Sequence, residues 1–434
     1  MKRSAPIVVS TVIILVLGIA LIATLLFINN QPAPTRGITP LVQIAQMEAD
    51  SHRWAVNYPN QYASLVQTAE NAQRTAYGGS LPYSKLENDP RLVTLFAGYG
   101  FSIEYNEDRG HLNSLTDVRE IKRVNEKTAG TCYSCKSSNN PGLWAEMGMA
   151  EYDRTLFSEL GKHIDQPIGC ANCHDAETMA LIVTNPALEE ALEAQGKDWR
   201  TFTRQEMRTV VCANCHVEYY FAGEGAYLTF PWKKGTRVED ISSYYAELEF
   251  KDWVHPDSGA AMIKMQHPEY ELFTAGSTHY NAGVACADCH MPYTRDGAAK
   301  YSSHNVRSPL LDPEPACGAC HTDVKYVVER VGIIQDQVWE TMDATEEALV
   351  AAIETIKTSA EAPGVDQTLL EEARSLHREA QLRWDFIAAE NSMGFHNPEE
   401  ALRILASATD LARQAQLKAF QAAGSPGGQQ AALP

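Results

Sequence analysis

The sequence predicts a mainly α protein with little sheet, in which short helices and irregular loops occupy the region before residue 325 and long helices the region after it. Three observations predict this: ten cysteines in five pairs of one spacing, a cysteine-free C-terminal region with apolar residues at steps of three and four, and a separate N-terminal apolar stretch. At 434 residues with 44% hydrophobic and 21% charged residues, the chain can bury a sizeable core, which excludes a disordered or collagen-like protein. Acidic residues outnumber basic ones 55 to 36, no stretch is rich in Lys or Arg, and the net charge of −19 argues against a nucleic acid partner.

Lys2 and Arg3 precede an uncharged stretch from Ile7 to Ile28, long enough to cross a bilayer as a helix. It ends Leu25-Leu26-Phe27-Ile28 rather than in small residues, which favours an uncleaved transmembrane anchor over a removed signal peptide. The basic residues keep residues 1–6 in the cytoplasm and place the remainder at the periplasmic or extracytoplasmic face of the cell membrane. Residues 29–39, with Gln31-Pro-Ala-Pro-Thr-Arg-Gly37, form a linker.

The cysteine pairs are Cys132 and Cys135 followed by Lys136, Cys170 and Cys173 followed by His174, Cys212 and Cys215 followed by His216, Cys286 and Cys289 followed by His290, and Cys317 and Cys320 followed by His321. They use every thiol, leaving none for a disulfide. In Cys-x-x-Cys-His the sulfurs form thioethers to haem vinyl groups and the adjacent imidazole points at the iron. Zinc sites also use Cys-x-x-Cys pairs but do not require His immediately afterwards. Five dispersed pairs are not one thioredoxin-like redox site. The chain therefore reads as a pentahaem cytochrome c, with five covalent haem c groups forming much of the core over residues 40–325.

Lys136 is the exception among the proximal residues. A primary amine binds iron only when deprotonated, so such a site must suppress the charge that water favours. Four haems with a second axial His would conduct electrons, while an open sixth position at the Lys136 haem would admit a small ligand. Thirteen histidines less four in the motifs leave nine for such roles.

After residue 325, Val331, Ile334, Val338, Met342, Thr345, Leu349, Ala352 and Ile356 form the stripe of one long helix. Pro363-Gly364 breaks it, a second pattern runs from Gln367 to Asn391, and a third runs from Pro398 to just before Gly424. Residues 326–424 thus form a long-helix segment, and residues 425–434 a loose tail.

The Cys-x-x-Cys-Lys motif followed by four Cys-x-x-Cys-His motifs resembles the ammonia-forming cytochrome c nitrite reductases. So do Asp89-Pro-Arg-Leu, Arg109-Gly-His111, Thr116-Asp-Val-Arg-Glu120, Cys215-His-Val-Glu-Tyr-Tyr220, Gln266-His-Pro-Glu-Tyr270 and Arg383-Trp-Asp385. The resemblance runs from about Tyr58 to Ala423. It implies six-electron reduction of nitrite to ammonium at the Lys136 haem, with Arg123, Tyr219 and His267 catalytic. Asp117 and Glu120 resemble a helix start that would put Arg119 and Arg123 on one face, and Arg119 is the fallback for the catalytic arginine.

The resemblance also implies distal ligands His304 for the second haem, His111 for the third, His396 for the fourth and His279 for the fifth. It implies calcium held by Glu218, the backbones of Tyr219 and Lys264, and Gln266, all oxygen donors. His52, His163, His255 and His377 are left without roles and are expected at the surface. A homodimer through the long helices and a quinol-oxidising multihaem cytochrome in the membrane as electron donor complete the expectation. The alternatives are a non-catalytic electron-transfer cytochrome and a reductase of sulfite or tetrathionate.

Overall fold

Three long helices close the chain, and each begins on a side-chain cap. Helix α1 spans Val324–Ala360, with the Asp323 carboxylate accepting from the Tyr326 N–H. Helix α2 spans Gln367–Ala388, where Asp366 accepts from the Thr368 and Leu369 N–H groups. Helix α3 spans Pro398–Ala422, with Asn397 as cap and Pro398 at the first helical position, where a missing N–H costs nothing. The computed structural model describes residues 17, 18, 20, 40–107 and 109–424. The expected cytoplasmic segment 1–6, nearly all of the anchor 7–28, the linker 29–39 and the tail 425–434 lie outside the described residues. Among the described residues no helix is long and apolar enough to cross a membrane.

The stripe expected along α1 is buried at Val331, Val338, Met342, Thr345, Leu349, Ala352 and Ile356. Gln335 is buried where Ile334 was expected, and its Nε2 donates to the Ser392 carbonyl at 2.9 Å. The inner face of α3 is lined by alanines, Ala401, Ala408, Ala412, Ala415, Ala419 and Ala422, all buried. Small side chains at this spacing let α3 lie close against α1 and α2.

Before α1 the chain forms short helical segments and loops, with three two-stranded antiparallel ribbons as its only sheets among the described residues. The main core joins this region to α2 through Leu95, Phe96, Ile241, Tyr245, Trp253 and Trp384. A second core gathers Tyr133, Trp144, Tyr152, Leu188 and Trp232 around the first and third cysteine motifs.

Two of the histidines expected at the surface are fully buried. His255 Nε2 lies 2.8 Å from the Thr94 carbonyl. His377 lies between Ser258 Oγ at 3.1 Å and Gln381 Oε1 at 3.0 Å, and the two rings meet edge to face at 5.6 Å. Thr94 and Ser258 come from distant segments, and only Gln381, one turn along the same helix from His377, is local. Burial pushes His377 down to about 3, and each ring tolerates it because its nitrogens are hydrogen-bonded. His52 and His163 are exposed, as expected.

Candidate functional site

None of the ten cysteines is joined to another in a disulfide. The first four pairs sit in or at the end of single turns of helix, Gly130–Tyr133, Cys170–Asn172, Val211–Asn214 and Cys286–His290. In three motifs the N–H of the following His returns to the carbonyl of the first Cys, at 3.0 Å for His174, 2.9 Å for His216 and 2.9 Å for His321. That turn gathers two sulfurs and an imidazole in one short segment. Lys136 departs from it, since its N–H donates to the Tyr133 carbonyl at 2.9 Å.

Three motif histidines face histidines from far along the chain. Ring centroids are 6.2 Å apart for His174 and His304, 6.2 Å for His290 and His396, and 6.4 Å for His279 and His321. A metal held at about 2 Å by each of two imidazole nitrogens separates the ring centres by roughly 6 Å, so these pairs fit one iron each. His174, His290 and His304 direct Nδ1 to the carbonyls of Met179, Arg307 and Ser302, at 3.1, 3.1 and 2.9 Å. This leaves Nε2 of each ring free for a metal. His111 is deeply buried, which pushes it down to about 4, and the first charge acting on it after burial is His216. Cys135 lies against Cys215, and Cys212 against Cys286, so the first, third and fourth motifs are immediate neighbours.

Around Lys136 the structure corrects one expectation. The helix Ser114–Glu120 ends before Arg123, so Arg119 and Arg123 do not share a helical face. Ile121 turns extended, with ψ 132°, and the Lys122 N–H donates to the Glu104 carboxylate instead of a helical carbonyl. Arg119 then points to the Ile164 and Gly161 carbonyls, at 2.6 and 3.2 Å. Arg123 instead lays its guanidinium over the Phe101 ring, 3.8 Å from the centroid, with Nε buried and unpartnered.

Tyr219 is brought to the same place. Burial pushes its phenol well up, and the charges acting on it are Cys135, Cys132, Arg123 and Glu218. His267 is half-buried, 3.9 Å through Nδ1 from Glu269 Oε1, with its ring 6.4 Å from that of His216. Among the described residues no hydrogen bond or ring contact joins His267 to Tyr219 or Arg123. Glu269 also lies 3.7 Å from His216 Nδ1 and accepts from Asn391 at 2.7 Å.

The expected calcium ligands converge. Glu218 Oε2 accepts from the Gln266 N–H at 2.6 Å, and Glu218 Oε1 accepts from the Tyr245 hydroxyl at 2.7 Å. Gln266 Nε2 donates to the Lys264 carbonyl at 3.0 Å. Glu218 is fully buried, and burial drives its carboxyl far above the usual range. The nearby Lys264 ammonium is committed elsewhere, 2.8 Å from Asp385 Oδ1 and within 5.3 Å of the Phe96, Phe101 and Tyr105 rings. A buried carboxylate that has no ion-paired cation among the described residues, with the Lys264 carbonyl and the Gln266 side chain close by, suits a hard divalent cation.

Sequence reasoning missed the carboxylates behind the imidazoles, Glu269 and Glu390, and the Phe101 ring under Arg123. Glu390 stands six residues before His396, a spacing that could have flagged it.

The family model described as cytochrome c552 matches residues 50–434. A cytochrome c-552 from Parabacteroides distasonis is 40% identical over 383 residues, covering 86% of this chain and 77% of the relative. One from Aliarcobacter butzleri is 37% identical over 422 residues, covering 93% and 83%. Among solved structures, the catalytic subunit of the cytochrome c nitrite reductase from Desulfovibrio desulfuricans, described with two calcium sites, superposes with a TM-score of 0.84. It is 37% identical, with 88% of each chain covered.

Proposed function

Because the chain belongs to the cytochrome c552 family, we propose that it is an ammonia-forming nitrite reductase whose substrate binds at the Lys136 motif. The observation that carries this is the pairing of distal and motif imidazoles at iron-sized spacing, while Arg123 and Tyr219 gather at the one motif that ends in lysine. In this reading His174 and His304, His216 and His111, His290 and His396, and His321 and His279 each hold one conducting haem. Cys132, Cys135 and Lys136 hold the reactive one. Bound haem supplies a nitrogen-binding iron and a relay for electrons.

The chain's own residues supply the rest. The Arg123 guanidinium, with an unpartnered Nε and a ring beneath it, holds the anionic substrate against the iron face. Its charge matters locally because the net charge of −19 repels nitrite at long range. His267, half-buried beside Glu269, delivers protons, and the Tyr219 hydroxyl orients nitrogen oxides by hydrogen bonding. The overall change is nitrite plus six electrons and eight protons to ammonium and two waters. Glu218, the Tyr219 and Lys264 backbones and Gln266 would hold calcium, which would keep Tyr219 and His267 in register because these residues flank both.

The family supports an extracytoplasmic location. The N-terminal stretch would anchor the chain there beside a quinol-oxidising multihaem cytochrome that supplies electrons, and the long helices would pair two copies in a homodimer. The test is nitrite-dependent oxidation of reduced viologen by haem-loaded protein, with ammonium counted against electrons. Six electrons per ammonium is the expected ratio; absence of turnover with five haems incorporated overturns the proposal.

A further inference from the structure

The segment from Glu390 to His396 is a closed hydrogen-bonded loop between α2 and α3. Glu390 is buried, and both carboxylate oxygens are surrounded by donors. Oε1 accepts from the Gly394 N–H at 2.5 Å. Oε2 accepts from the Ser392 N–H at 3.1 Å, the Ser392 hydroxyl at 2.6 Å and His396 Nδ1 at 3.0 Å. All four contacts use the carboxylate oxygens as acceptors. The Ser392 hydroxyl in turn accepts from the His396 N–H at 2.8 Å, closing the ring of contacts.

The loop is held rigid from outside. Gly394 has φ +74°, and a side chain there would meet Val338 of α1 at 2.7 Å. The Ser392 carbonyl accepts from Gln335 of α1.

His396 differs in this from the other histidines with a hydrogen-bonded Nδ1 in the pairs facing across an iron-sized gap. His174, His290 and His304 donate to neutral backbone carbonyls, whereas His396 donates to a carboxylate. A carboxylate on the far nitrogen makes an imidazole a stronger electron donor, which favours the oxidised metal and lowers its potential.

We infer that Glu390 is a positioning and tuning residue that holds the potential of the fourth haem below the value its two histidines alone would give. This rests on the reading of His290 and His396 as that haem's ligands. The fourth motif adjoins the third through Cys286 and Cys212, and Cys289 lies near Cys317 of the fifth. A low-potential haem there makes the hop onto it uphill and the hop off it downhill, so electrons do not rest between the fifth haem and the third.

The test is spectroelectrochemistry of the haem-loaded full chain. Glu390→Gln keeps the shape and the acceptor but removes the charge, so the midpoint of one low-spin haem should move up while the haem count and the other midpoints stay. An unmoved or lowered midpoint overturns the inference. Ser392→Ala serves if that variant fails to load five haems. Losing the hydroxyl concentrates the carboxylate on His396, so the same midpoint should move down, and no movement overturns the inference. His396→Ala separates the two levels of argument. If it creates a high-spin haem while Glu390→Gln shifts nothing, the tuning is wrong and the ligand assignment stands; if it changes no haem, the assignment itself fails.

Discussion

The imidazoles of His174 and His304 face each other with ring centroids 6.2 Å apart, each tied through Nδ1 to a backbone carbonyl, Met179 at 3.1 Å and Ser302 at 2.9 Å. Both rings are thereby fixed in tautomer and direction before any metal enters. Replacing His304 with Ala should leave the second haem five-coordinate. The expected result is a new high-spin ferric signal in electron paramagnetic resonance and a fall in nitrite turnover of roughly tenfold or more.

Arg119 and Arg123 separate into different jobs. Arg123→Ala removes a charge-assisted contact to an anion worth roughly 2 kcal/mol, so KM for nitrite should rise by about tenfold to a hundredfold. Arg119→Ala should leave KM unchanged and lower the melting temperature, because its Nη2 holds the Ile164 and Gly161 carbonyls. Equal effects of the two substitutions on KM would reverse the assignment.

Lys264 and Asp385 form a buried ion pair at 2.8 Å, both side chains 1% exposed. Asp385 lies above the ordinary carboxylate range because desolvation outweighs the attraction of Lys264. Asp385→Asn strands a buried ammonium and should cost about 3–5 kcal/mol in denaturant unfolding. A loss under about 1 kcal/mol would show that the aromatic cage alone suffices.

Glu218 is buried, and among the described residues no Lys, Arg or His forms an ion pair with it. Stripping calcium with a chelator should lower the melting temperature and activity, and adding calcium back should restore both. Glu218→Gln should make the protein insensitive to the chelator. Chelator sensitivity unchanged by this substitution would place the ion elsewhere.

Asp89, Arg91 and Glu346 pin α1 to the region ahead of it. Arg91 grips Asp89 at 2.9 and 2.7 Å and reaches Glu346 Oε2 at 2.7 Å. Burial and then Asp89 push Glu346 up to about 9, while hydrogen bonds from Arg91 and Glu346 outweigh burial and hold Asp89 down to about 2. The folded protein keeps a proton on Glu346 that the unfolded chain releases near its ordinary 4.5. That contribution is complete below about 4.5 and fades as pH rises through 9. Melting temperature should therefore fall between pH 6 and 9, and Glu346→Gln should flatten that slope.

The five cysteine motifs, the odd Lys136 and the three C-terminal helices were legible in the sequence because each is a local pattern: a spacing, a single substitution, a period. The starts of the second and third helices at Gln367 and Pro398, and the stop before Gly424, were readable for the same reason. The parting of Arg119 from Arg123 was not, since it depends on Glu104 capturing the Lys122 N–H from outside the helix. The burial of His255 and His377 was equally hidden, because Thr94 and Ser258 meet them only after folding.

What the sequence determined by itself is the chemistry available: five pairs of thiols, their adjacent ligands, and amphipathic helices. Only the tertiary structure decided which imidazoles face each other and that Arg123 rests on Phe101. Those choices depend on side chains from separate segments sharing one buried volume, where an unpaired polar group is costly and each must find a partner.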